Sequence, residues 1–403
     1  MTIHNKLAIE GGTPVREEYL PYGRQFLDEE DIQSVVRVLK SEYLTTGPSI
    51  PLFEQKIAEY TGTKYAVSFS SGTAALHGAC FAAGISKDDE VITTPITFAA
   101  SANCVLYQGA VPVFADIDPL TYNIDPHSIE KLITSKTKAI IPVDFTGQPA
   151  DHDEIKRIAN KHNLIVIEDA AHALGAAYKN NNKVGSIHDM TMFSFHPVKH
   201  ITTGEGGVIT TNNQHFYEKL ILFRNHGITR DLNKLNGNHM PWYYEMQSLG
   251  YNYRMTDIHA ALGVSQLNKL NGFIEKRRHL VNLYNRELKE ISCIRLPFQH
   301  PHTNSSWHLY VISLELDRLR VSRNEIFNAL QKENIGVNVH YIPVYLHPFY
   351  QSLGYKKGLC KNAEKLFSEM ITLPLFPAMS EDDINDVVNA LRKVINFYTK
   401  KGM

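Results

Sequence analysis

Short apolar runs alternate with helix-like segments between residues 65 and 208, and no other feature limits the possible folds as much. These runs are rich in β-branched residues and lie at residues 66–69, 90–94, 111–115, 139–143 and 164–167. Continuous apolar runs are typical of parallel strands buried on both faces, and helices supply the crossovers that such strands need. The pattern therefore predicts an α/β fold. Pro112 and Pro142 leave the limits of two runs open.

The chain after this core predicts a smaller α/β unit. Residues 257–291 are rich in helix formers, and we expect breaks at Gly263 and Gly272. Further elements follow in chain order: a strand at 305–312, a helix at 323–332, a strand at 336–341 and a helix after Ser380. The predicted organisation is an N-terminal segment (1–25), a large domain (26–265) and a small C-terminal domain (266–403).

Composition and charge exclude several classes of protein. The 403 residues carry 41 Lys and Arg against 42 Asp and Glu, a formal net charge of −1. Without a strong field of one sign, neither nucleic acid nor an anionic membrane is an expected partner. No apolar run could span a bilayer, and no signal peptide begins the sequence, so we expect a cytoplasmic protein. The four cysteines lie far apart and predict neither a disulfide framework nor a metal site.

One lysine, Lys199, lies between an apolar segment and a glycine-rich turn. Residues 194–207 read SFHPVKHITTGEGG, and Gly206 and Gly207 allow the backbone a close approach or a positive φ. A lysine held at such a place can form a Schiff base with an aldehyde cofactor. Most lysines are solvated surface residues, so this segment alone leaves both interpretations open.

An aspartate, Asp169, follows the apolar run at 164–167, where open α/β sheets hold ligands. An aspartate followed by a Schiff-base lysine is the pair that pyridoxal phosphate (PLP) chemistry needs. The carboxylate keeps the ring nitrogen protonated, and the ring then accepts electrons from a carbanion. An aspartate after a strand also commonly caps the next helix. The two roles differ in depth, because a cap lies at the rim whereas a ring partner is buried beneath the cofactor.

Three further segments could complete a cofactor pocket. Ser71-Gly72-Thr73 could bind a phosphate dianion through free N–H groups and hydroxyls, although it is also an ordinary helix start, and Ser194 could add a hydroxyl. His172 could reach the same pocket or be a packed core histidine. Phe98 could stack on a flat ring or belong to the core.

Together these segments resemble the DegT/StrS-type sugar aminotransferases. The resemblance runs from about residue 21 to the C-terminus and rests on SGTAAL, EDAAH, SFHPVK, GEGG and GYNYRM, the last beginning at Gly250. It implies fold type I of the PLP-dependent transferases, which is aspartate aminotransferase-like. That fold has a large domain with a mostly parallel seven-stranded sheet and a smaller C-terminal α/β domain. Within the family, residues 93–98, 194–203 and 339–345 are most similar to enzymes that aminate UDP-linked 4-keto sugars on the route to pseudaminic acid.

The resemblance also implies residue roles at matching positions. Lys199 would hold PLP and later move a proton between cofactor and sugar, and Asp169 would pair with the pyridinium. The other implied cofactor contacts are Gly72, Thr73 and Ser194 at the phosphate, Phe98 and Ala171 at the ring faces, His172 at the phenolic oxygen, and Asn252 from a second subunit. Implied nucleotide-sugar contacts lie at Thr46, Gly47, His340 and Tyr341. Because Asn252 would come from a second chain, we expect a homodimer with shared active sites.

The predicted reaction moves an amino group from L-glutamate to C4 of a UDP-linked 4-keto-6-deoxy-N-acetylhexosamine, for pseudaminic acid-type surface polysaccharides. Relatives with histidine at the lysine position remove a hydroxyl instead. Counting back from Gly204 places Lys199 there, not His200, which favours transamination. The alternatives are another nucleotide keto-sugar as substrate, a dehydratase, and a non-catalytic PLP-binding regulator, for which no DNA-reading segment is present. A cysteine desulfurase is disfavoured because no cysteine lies on a plausible mobile loop.

Overall fold

The computed structural model describes residues 6–237 and 240–400. The α-helices in it are α1 (Glu29–Leu39), α2 (Ser49–Thr61), α3 (Gly72–Ala82), α4 (Ala100–Leu106), α5 (Pro126–Leu132), α6 (His152–His162), α7 (Gln214–Arg224), α8 (Asp257–Leu288), α9 (Arg323–Lys332), α10 (Pro348–Ser352), α11 (Lys361–Glu369) and α12 (Glu381–Tyr398). The strands are β1 (Tyr65–Phe69), β2 (Glu90–Thr93), β3 (Val111–Phe114), β4 (Thr137–Ile141), β5 (Ile165–Asp169), β6 (Ala177–Tyr178), β7 (Asn182–Lys183), β8 (Met190–Ser194), β9 (Gly207–Thr211), β10 (Ile228–Thr229), β11 (Glu245–Met246), β12 (Ile294–Arg295), β13 (Tyr310–Leu314) and β14 (Met370–Leu373).

A seven-stranded sheet with the order β1-β9-β8-β5-β4-β2-β3 forms the centre of the larger unit. Strands β3, β2, β4, β5 and β8 are parallel to their neighbours in this series. Strand β9 runs antiparallel to both β1 and β8. The inner strands are almost wholly buried, as their continuous apolar runs require. The predicted α/β fold with a mostly parallel seven-stranded sheet is confirmed.

The strand register brings distant parts of the chain to one edge of this sheet. Gly207 at the start of β9 pairs with Phe69 at the end of β1 and with Ser194 at the end of β8. In the next strand, Asp169 at the end of β5 pairs with Met192. The carboxyl ends of β1, β5 and β8 therefore lie at the same edge of the sheet. Ligands bind at this edge in open α/β sheets.

Helix α8 runs through 32 residues without interruption, so the predicted breaks at Gly263 and Gly272 are wrong. A Cβ at Gly263 would lie 2.7 Å from the ring of Phe53 and 2.8 Å from the side chain of Thr203. Gly263 is thus a point of close packing, and the packing of α8 on α1 and α2 offsets the roughly 1 kcal/mol by which glycine is a poorer helix former than alanine. The boundary predicted after residue 265 falls inside α8, and the division into domains stays a prediction.

The C-terminal unit contains the antiparallel sheet β12-β13-β14. The strand predicted at 336–341 is wrong, because this segment joins β14 only by a single bridge between Asn338 and Thr372. The strand predicted at 305–312 begins only at Tyr310. The preceding loop reaches the larger unit, where the backbone N–H groups of His308 and Leu309 donate to the carbonyl of Thr146. These two irregular segments are the ones that bring polar side chains towards the sheet edge.

The N-terminal segment packs against the C-terminal unit. The carboxylate of Glu333 accepts hydrogen bonds from the backbone N–H groups of Ala8 and Val15, both at 2.9 Å. Leu7 and Leu20 belong to the apolar core formed with α9 and α12. Residues 1–5 of the predicted N-terminal segment and 401–403 of the predicted small domain lie outside the described residues. Within residues 6–237 and 240–400, no helix has both the length and the apolar character to cross a membrane.

Candidate active site

Lys199 lies in the loop between β8 and β9, beyond the carboxyl edge of the sheet. Its Nζ is 3.5 Å from Nε2 of His308. Burial of the amine disfavours the ammonium form and lowers its pKa to about 8, although the carboxylate of Asp169 acts in the opposite direction. The amine is therefore much closer to its nucleophilic free-base form at neutral pH than an ordinary lysine.

Asp169 is buried at the end of β5, with 4 % of its surface exposed. Its Oδ2 accepts a hydrogen bond of 2.6 Å from the hydroxyl of Ser101, and its Oδ1 accepts one of 3.1 Å from the N–H of Ala171. Burial raises the pKa of this carboxyl group despite these donors. A turn follows Asp169 in place of a helix, so the helix-cap interpretation does not hold. The depth of the carboxylate is the depth that a ring partner needs.

Buried histidines surround the amine of Lys199. The rings of His172 and His308 have centroids 4.4 Å apart, and those of His200 and His308 lie 5.5 Å apart. Burial lowers the pKa of all three well below the usual value. Burial also lowers the pKa of His340 to about 3. These imidazoles are neutral at physiological pH, so they enclose the lysine without adding positive charge.

The segment between α9 and α10 supplies His340 and Tyr341. The Tyr341 hydroxyl lies 3.1 Å from Nε2 of His172, and Nδ1 of His340 lies 2.9 Å from the hydroxyl of Thr372. The structure thus joins His172, predicted as a cofactor contact, to Tyr341, predicted as a sugar contact. The ring of His172 is buried, as a packed core histidine would be, and its neighbours include the tyrosine hydroxyl and the histidine beside Lys199, so its role as a cofactor contact stays a prediction.

Two glycines allow the start of α3 to approach the ends of β8 and β9 closely. A Cβ at Gly207 would lie 2.6 Å from the carbonyl oxygen of Ser71 and 2.7 Å from Cα of Gly72. A Cβ at Gly72 would lie 3.2 Å from Cβ of Ser194. The N-terminus of an 11-residue helix, the adjacent Thr73 and the hydroxyl of Ser194 are therefore gathered in one place. Such a helix start is suited to an anion such as a phosphate.

Phe98 is unusual for a large aromatic residue because 63 % of its surface is exposed. Its carbonyl accepts from the N–H of Ser101, whose hydroxyl donates to Asp169. The ring centroid of Phe98 lies 6.3 Å from that of Tyr341. The core interpretation of Phe98 is therefore wrong. Its ring is accessible and lies one helical turn before Ser101, so it can stack on a planar ligand.

Thr46, Gly47 and Asn252 are the remaining predicted site residues. Thr46 and Gly47 line a cavity of about 320 Å³ together with Asn225 and Arg254, and its lining does not include Lys199. The N–H of Gly47 donates to Asp257 at 2.7 Å. Asn252 forms a backbone bridge with Asn225, whose side chain accepts a hydrogen bond from Arg254. Asn252 precedes Tyr253, whose carbonyl accepts a hydrogen bond of 2.8 Å from the N–H of Ser70, next to the start of α3.

Sequence reasoning missed Ser101 and His308. Ser101 contacts a residue 68 positions away and His308 one 109 positions away, so local patterns do not reveal either contact. A weak signal was present for each. Ser101 is a polar residue within the apolar turn of α4, and His308 interrupts an apolar run between Trp307 and Leu309.

The groups at the carboxyl edge of the sheet have the chemistry that binding of PLP requires. A buried amine can bind an aldehyde, a buried carboxylate can face a pyridinium, a helix start can receive a phosphate and an exposed aromatic ring can cover a flat ligand. Nδ1 of His172 and Nδ1 of His308 are buried without a hydrogen-bond partner in the described part of the chain. Buried polar atoms without a protein partner are expected where a ligand supplies the missing partner.

Comparison with known proteins identifies the family. The model of the DegT/DnrJ/EryC1/StrS aminotransferase family matches residues 25–392. The spore coat polysaccharide biosynthesis protein SpsC of Bacillus subtilis is 42% identical over 382 residues, which cover 94% of this chain and 98% of that protein. The UDP-4-amino-4,6-dideoxy-N-acetyl-beta-L-altrosamine transaminase of Campylobacter jejuni is 39% identical over 389 residues, covering 95% of this chain and 99% of that enzyme.

Solved structures agree with this assignment. PseC of Helicobacter pylori, an aminotransferase of pseudaminic acid biosynthesis, has a TM-score of 0.87 at 35% identity, covering 95% of this chain and all of that one. The PLP form of the sugar aminotransferase Spr1654 of Streptococcus pneumoniae has a TM-score of 0.87 at 32% identity, covering 94% and 99%. The predicted fold type and cofactor are thereby confirmed. The chain belongs to the DegT/DnrJ/EryC1/StrS aminotransferase family and is a PLP-dependent sugar aminotransferase.

Proposed function

We propose that the enzyme moves the amino group of L-glutamate to C4 of a UDP-linked 4-keto-6-deoxy-N-acetylhexosamine, in pseudaminic acid-type surface polysaccharide biosynthesis in the cytoplasm. The pocket around Lys199 and Asp169 is the observation that carries the proposal, because it combines an amine of lowered pKa with a buried carboxylate. The name of the Campylobacter relative supports the UDP-sugar, and that of the Helicobacter structure supports the pathway.

In this proposal Lys199 and Asp169 carry the chemistry. When bound, PLP supplies an electron sink that stabilises a carbanion next to the transferred nitrogen. Lys199 holds the cofactor covalently and, once displaced by an amine, takes up and returns a proton at Nζ. Asp169 stays ionised against the cationic ring nitrogen, and Ser101 orients its Oδ2. The neutral histidines around the lysine exclude water and leave its amine free of charge repulsion.

The other predicted contacts hold the ligands in position. Gly72, Thr73 and Ser194 bind the cofactor phosphate at the start of α3, which their close packing supports. Phe98 and Ala171 would cover the two faces of the cofactor ring, and His172 would face its phenolic oxygen. His340 and Tyr341 contact the sugar.

We propose that a second copy of the chain completes each site. Asn252 reaches the phosphate held by the partner chain, and Thr46 and Gly47 contact the nucleotide sugar. The location of Thr46 and Gly47 supports this arrangement, because they line a cavity whose lining does not include Lys199. The enzyme is accordingly a homodimer with shared active sites.

The test is a two-step spectroscopic titration of the PLP-loaded enzyme. L-glutamate is added first, and we expect the band of the lysine-bound cofactor to give way to that of the amine form. Addition of the UDP-4-keto sugar should then restore the first band while an amino sugar forms. A cofactor band that responds to another amino acid, or to another keto-sugar only, would contradict the donor or the substrate respectively. Loss of the sugar hydroxyl without amine transfer would indicate a dehydratase.

A further inference from the structure

Two buried hydroxyl groups lie close to Asp169, in the segment that leads from β2 into α4. Thr97 precedes the helix and is 3 % exposed, whereas Ser101 lies in its first turn and is fully buried. Phe98, which lies between them in the sequence, has 63 % of its surface exposed. This short segment therefore presents an aromatic ring to a ligand and two hydroxyls to the interior. The proposed transamination gives no role to Thr97.

The two hydroxyls form a chain that ends on the carboxylate of Asp169. Oγ of Ser101 lies 2.6 Å from Oδ2 of Asp169, and Oγ1 of Thr97 lies 2.7 Å from Oγ of Ser101. Both distances are typical of hydrogen bonds between oxygen atoms. Because all three groups are buried, each proton of the chain needs an acceptor.

The number of protons fixes the direction of this chain. Each hydroxyl has one proton to donate, and an ionised carboxylate has none. Ser101 therefore donates to Asp169, and Thr97 must donate to Ser101. In the reverse direction the proton of Thr97 would lack an acceptor, since Ser101 is the only hydrogen-bond partner of its hydroxyl among the residues that the structure describes. The direction that pairs both protons is the one that ends on a negative charge.

A second acceptor competes for the proton of Ser101. Its hydroxyl lies 3.4 Å from the carbonyl oxygen of Phe98, which already accepts the N–H of Ser101 at 3.2 Å. Hydroxyls in helices commonly bond back to such carbonyls. A donor to Ser101 polarises its O–H group, and a polarised O–H group gains more from a charged acceptor than from a neutral one. The Thr97 hydroxyl therefore favours Asp169 over the carbonyl of Phe98.

We propose that Thr97 is a positioning residue, which acts through Ser101 and keeps the proton of Ser101 directed at Asp169. Hydrogen bonds to the charged form of a group favour that form, and the N–H of Ala171 supplies another on Oδ1 at 3.1 Å. Together these donors oppose burial, which favours the uncharged carboxyl. The inference rests on the proposed function, in which ionised Asp169 pairs with the cationic ring nitrogen of PLP.

A purely structural role for Thr97 is the competing interpretation. Thr97 and Ser101 are four residues apart, so a hydrogen bond between their side chains could simply stabilise the start of α4. Loss of such a bond would lower the folding stability without changing the protonation of Asp169. The experiment must therefore measure the carboxyl group itself.

A titration of the Asp169 carboxyl group makes this distinction. The full-length enzyme, freed of PLP and labelled with ¹³C at the aspartate Cγ atoms, is titrated by NMR, and the Asp169 signal is identified by its loss in Asp169→Asn. We expect Ser101→Ala to favour the protonated carboxyl about tenfold or more, and Thr97→Val to favour it roughly two- to fivefold. The charged neighbours of Asp169, Lys199 and Glu168, are the same in both variants.

The double variant tests whether Thr97 acts through Ser101. If it does, Thr97→Val should add nothing to Ser101→Ala, whereas independent effects would multiply. Thr97→Ser keeps the hydroxyl and should titrate as the wild type does. Thr63→Val is the matched control, because Thr63 forms a hydroxyl pair of 3.0 Å with Thr61 at the end of α2. This control should leave the titration of Asp169 unchanged.

The PLP-loaded enzyme gives a second readout. The maximal rate of the half-reaction with L-glutamate should fall in the same order as the titration shifts. The glutamate concentration that gives half this rate should stay the same, because neither hydroxyl is among the predicted substrate contacts.

Two results would overturn the proposal. One is an unchanged Asp169 titration in Ser101→Ala, and the other is a double variant in which the two effects multiply, because Thr97 would then act by another route. If Thr97→Val does not fold, Thr97→Ala takes its place beside Thr97→Ser. The NMR titration needs neither PLP nor substrate, so the proposed function can fail or succeed separately.

Discussion

Asp169 and Glu168 are consecutive residues of β5, yet their carboxylates belong to two very different buried regions. Asp169 faces the front pocket, by which we mean the surroundings of Lys199 with His172, His308 and the exposed ring of Phe98. Glu168 faces the other side of β5, in a rear cluster formed by Asp144, His152, Glu168 and His188, and the side chains of the first three have no exposed surface. In the front pocket the titratable groups are neutral histidines and an amine whose pKa is lowered to about 8, whereas the rear cluster places His152 between two carboxyl groups. Burial alone therefore does not mark the catalytic region.

The two regions differ in how accessible their unsatisfied polar atoms are to a ligand. Both contain buried nitrogen or oxygen atoms without a protein partner among the described residues. In the front pocket, His172 contacts Tyr341, whose ring lies 6.3 Å from the exposed ring of Phe98, so this side of the sheet can receive an organic ligand. In the rear cluster they lie around His152, so a proton on this ring is the positive charge that the two carboxyl groups can share. The same strand thus supports a replaceable ligand on one face and a fixed charge on the other.

Removing the amine of the front pocket should have the largest effect on the enzyme. We expect Lys199→Ala to lower turnover by about 10⁴-fold or more, since the residue acts in both half-reactions, while PLP still binds without a covalent bond. Release of 2-oxoglutarate from L-glutamate measures this loss. Lys64→Ala, which removes an exposed lysine, should leave the rate unchanged. Full activity in Lys199→Ala would show that the front pocket is not the catalytic region.

Removing the basic group of the rear cluster should cost folding stability. We expect His152→Leu to lower the free energy of unfolding by about 3–5 kcal/mol, because two buried carboxylates lose their counter-charge. Urea unfolding of the PLP-loaded enzyme measures the change, and His127→Gln serves as the exposed control. A loss below about 1 kcal/mol would show that the carboxylates are protonated or that another group compensates them.

Neutralising the carboxylate of the front pocket should lower the rate with little change in shape. We expect Asp169→Asn to reduce turnover by about 100-fold or more, because the amide cannot hold a positive charge on the ring nitrogen. The spectrum and pH titration of the bound cofactor show whether ring protonation is the cause. Asp153→Asn, at an exposed ion pair with Lys179, should behave as wild type. Equal rates for the two variants would contradict the role of Asp169.

The lowered pKa of Lys199 predicts a pH dependence of cofactor binding. Only the free amine attacks the aldehyde, so the rate at which the cofactor-free protein binds PLP covalently should rise with pH and reach half its maximum near pH 8. Between about pH 7 and 9 the free-amine fraction changes roughly tenfold. Stopped-flow absorbance follows the reaction. A rate that stays constant through this range would mean that the amine is already uncharged below it.

The smallest effect is expected at the rim of the front pocket. Tyr341→Phe removes the hydroxyl that lies 3.1 Å from His172, and a lost hydrogen bond of about 0.5–1.5 kcal/mol corresponds to a roughly two- to twelvefold change in kcat/KM for the sugar. Tyr244→Phe, at an exposed tyrosine, gives the matched control. A similar change in both variants would show that the Tyr341 hydroxyl does not contact the sugar.

The sequence predicts those features that depend on residue type and position along a strand. Lys199 and Asp169 were identified because each follows an apolar run, and the register of β5, β8 and β9 then brings these runs together. His308 was missed because it was expected inside a strand, whereas it lies in a loop that the carbonyl of Thr146 holds.

The remaining errors have a common physical cause. The close packing at Gly263 overrides the low helix propensity of glycine, which a local pattern cannot anticipate. The rear cluster joins residues 144, 152, 168 and 188, so it exists only once the sheet and α6 are in place. Contacts between residues distant in sequence belong to the fold rather than to any local pattern.

Reductive trapping of the cofactor tests the central claim most directly. The PLP-loaded enzyme is treated with sodium borohydride before and after incubation with L-glutamate, and the modified peptide is identified by mass spectrometry. We expect the cofactor on Lys199 alone, and a sharply lower yield once glutamate has displaced the lysine. Cofactor attached to another lysine, or a yield on Lys199 that glutamate does not change, would contradict the assignment of the front pocket as the transaminase site.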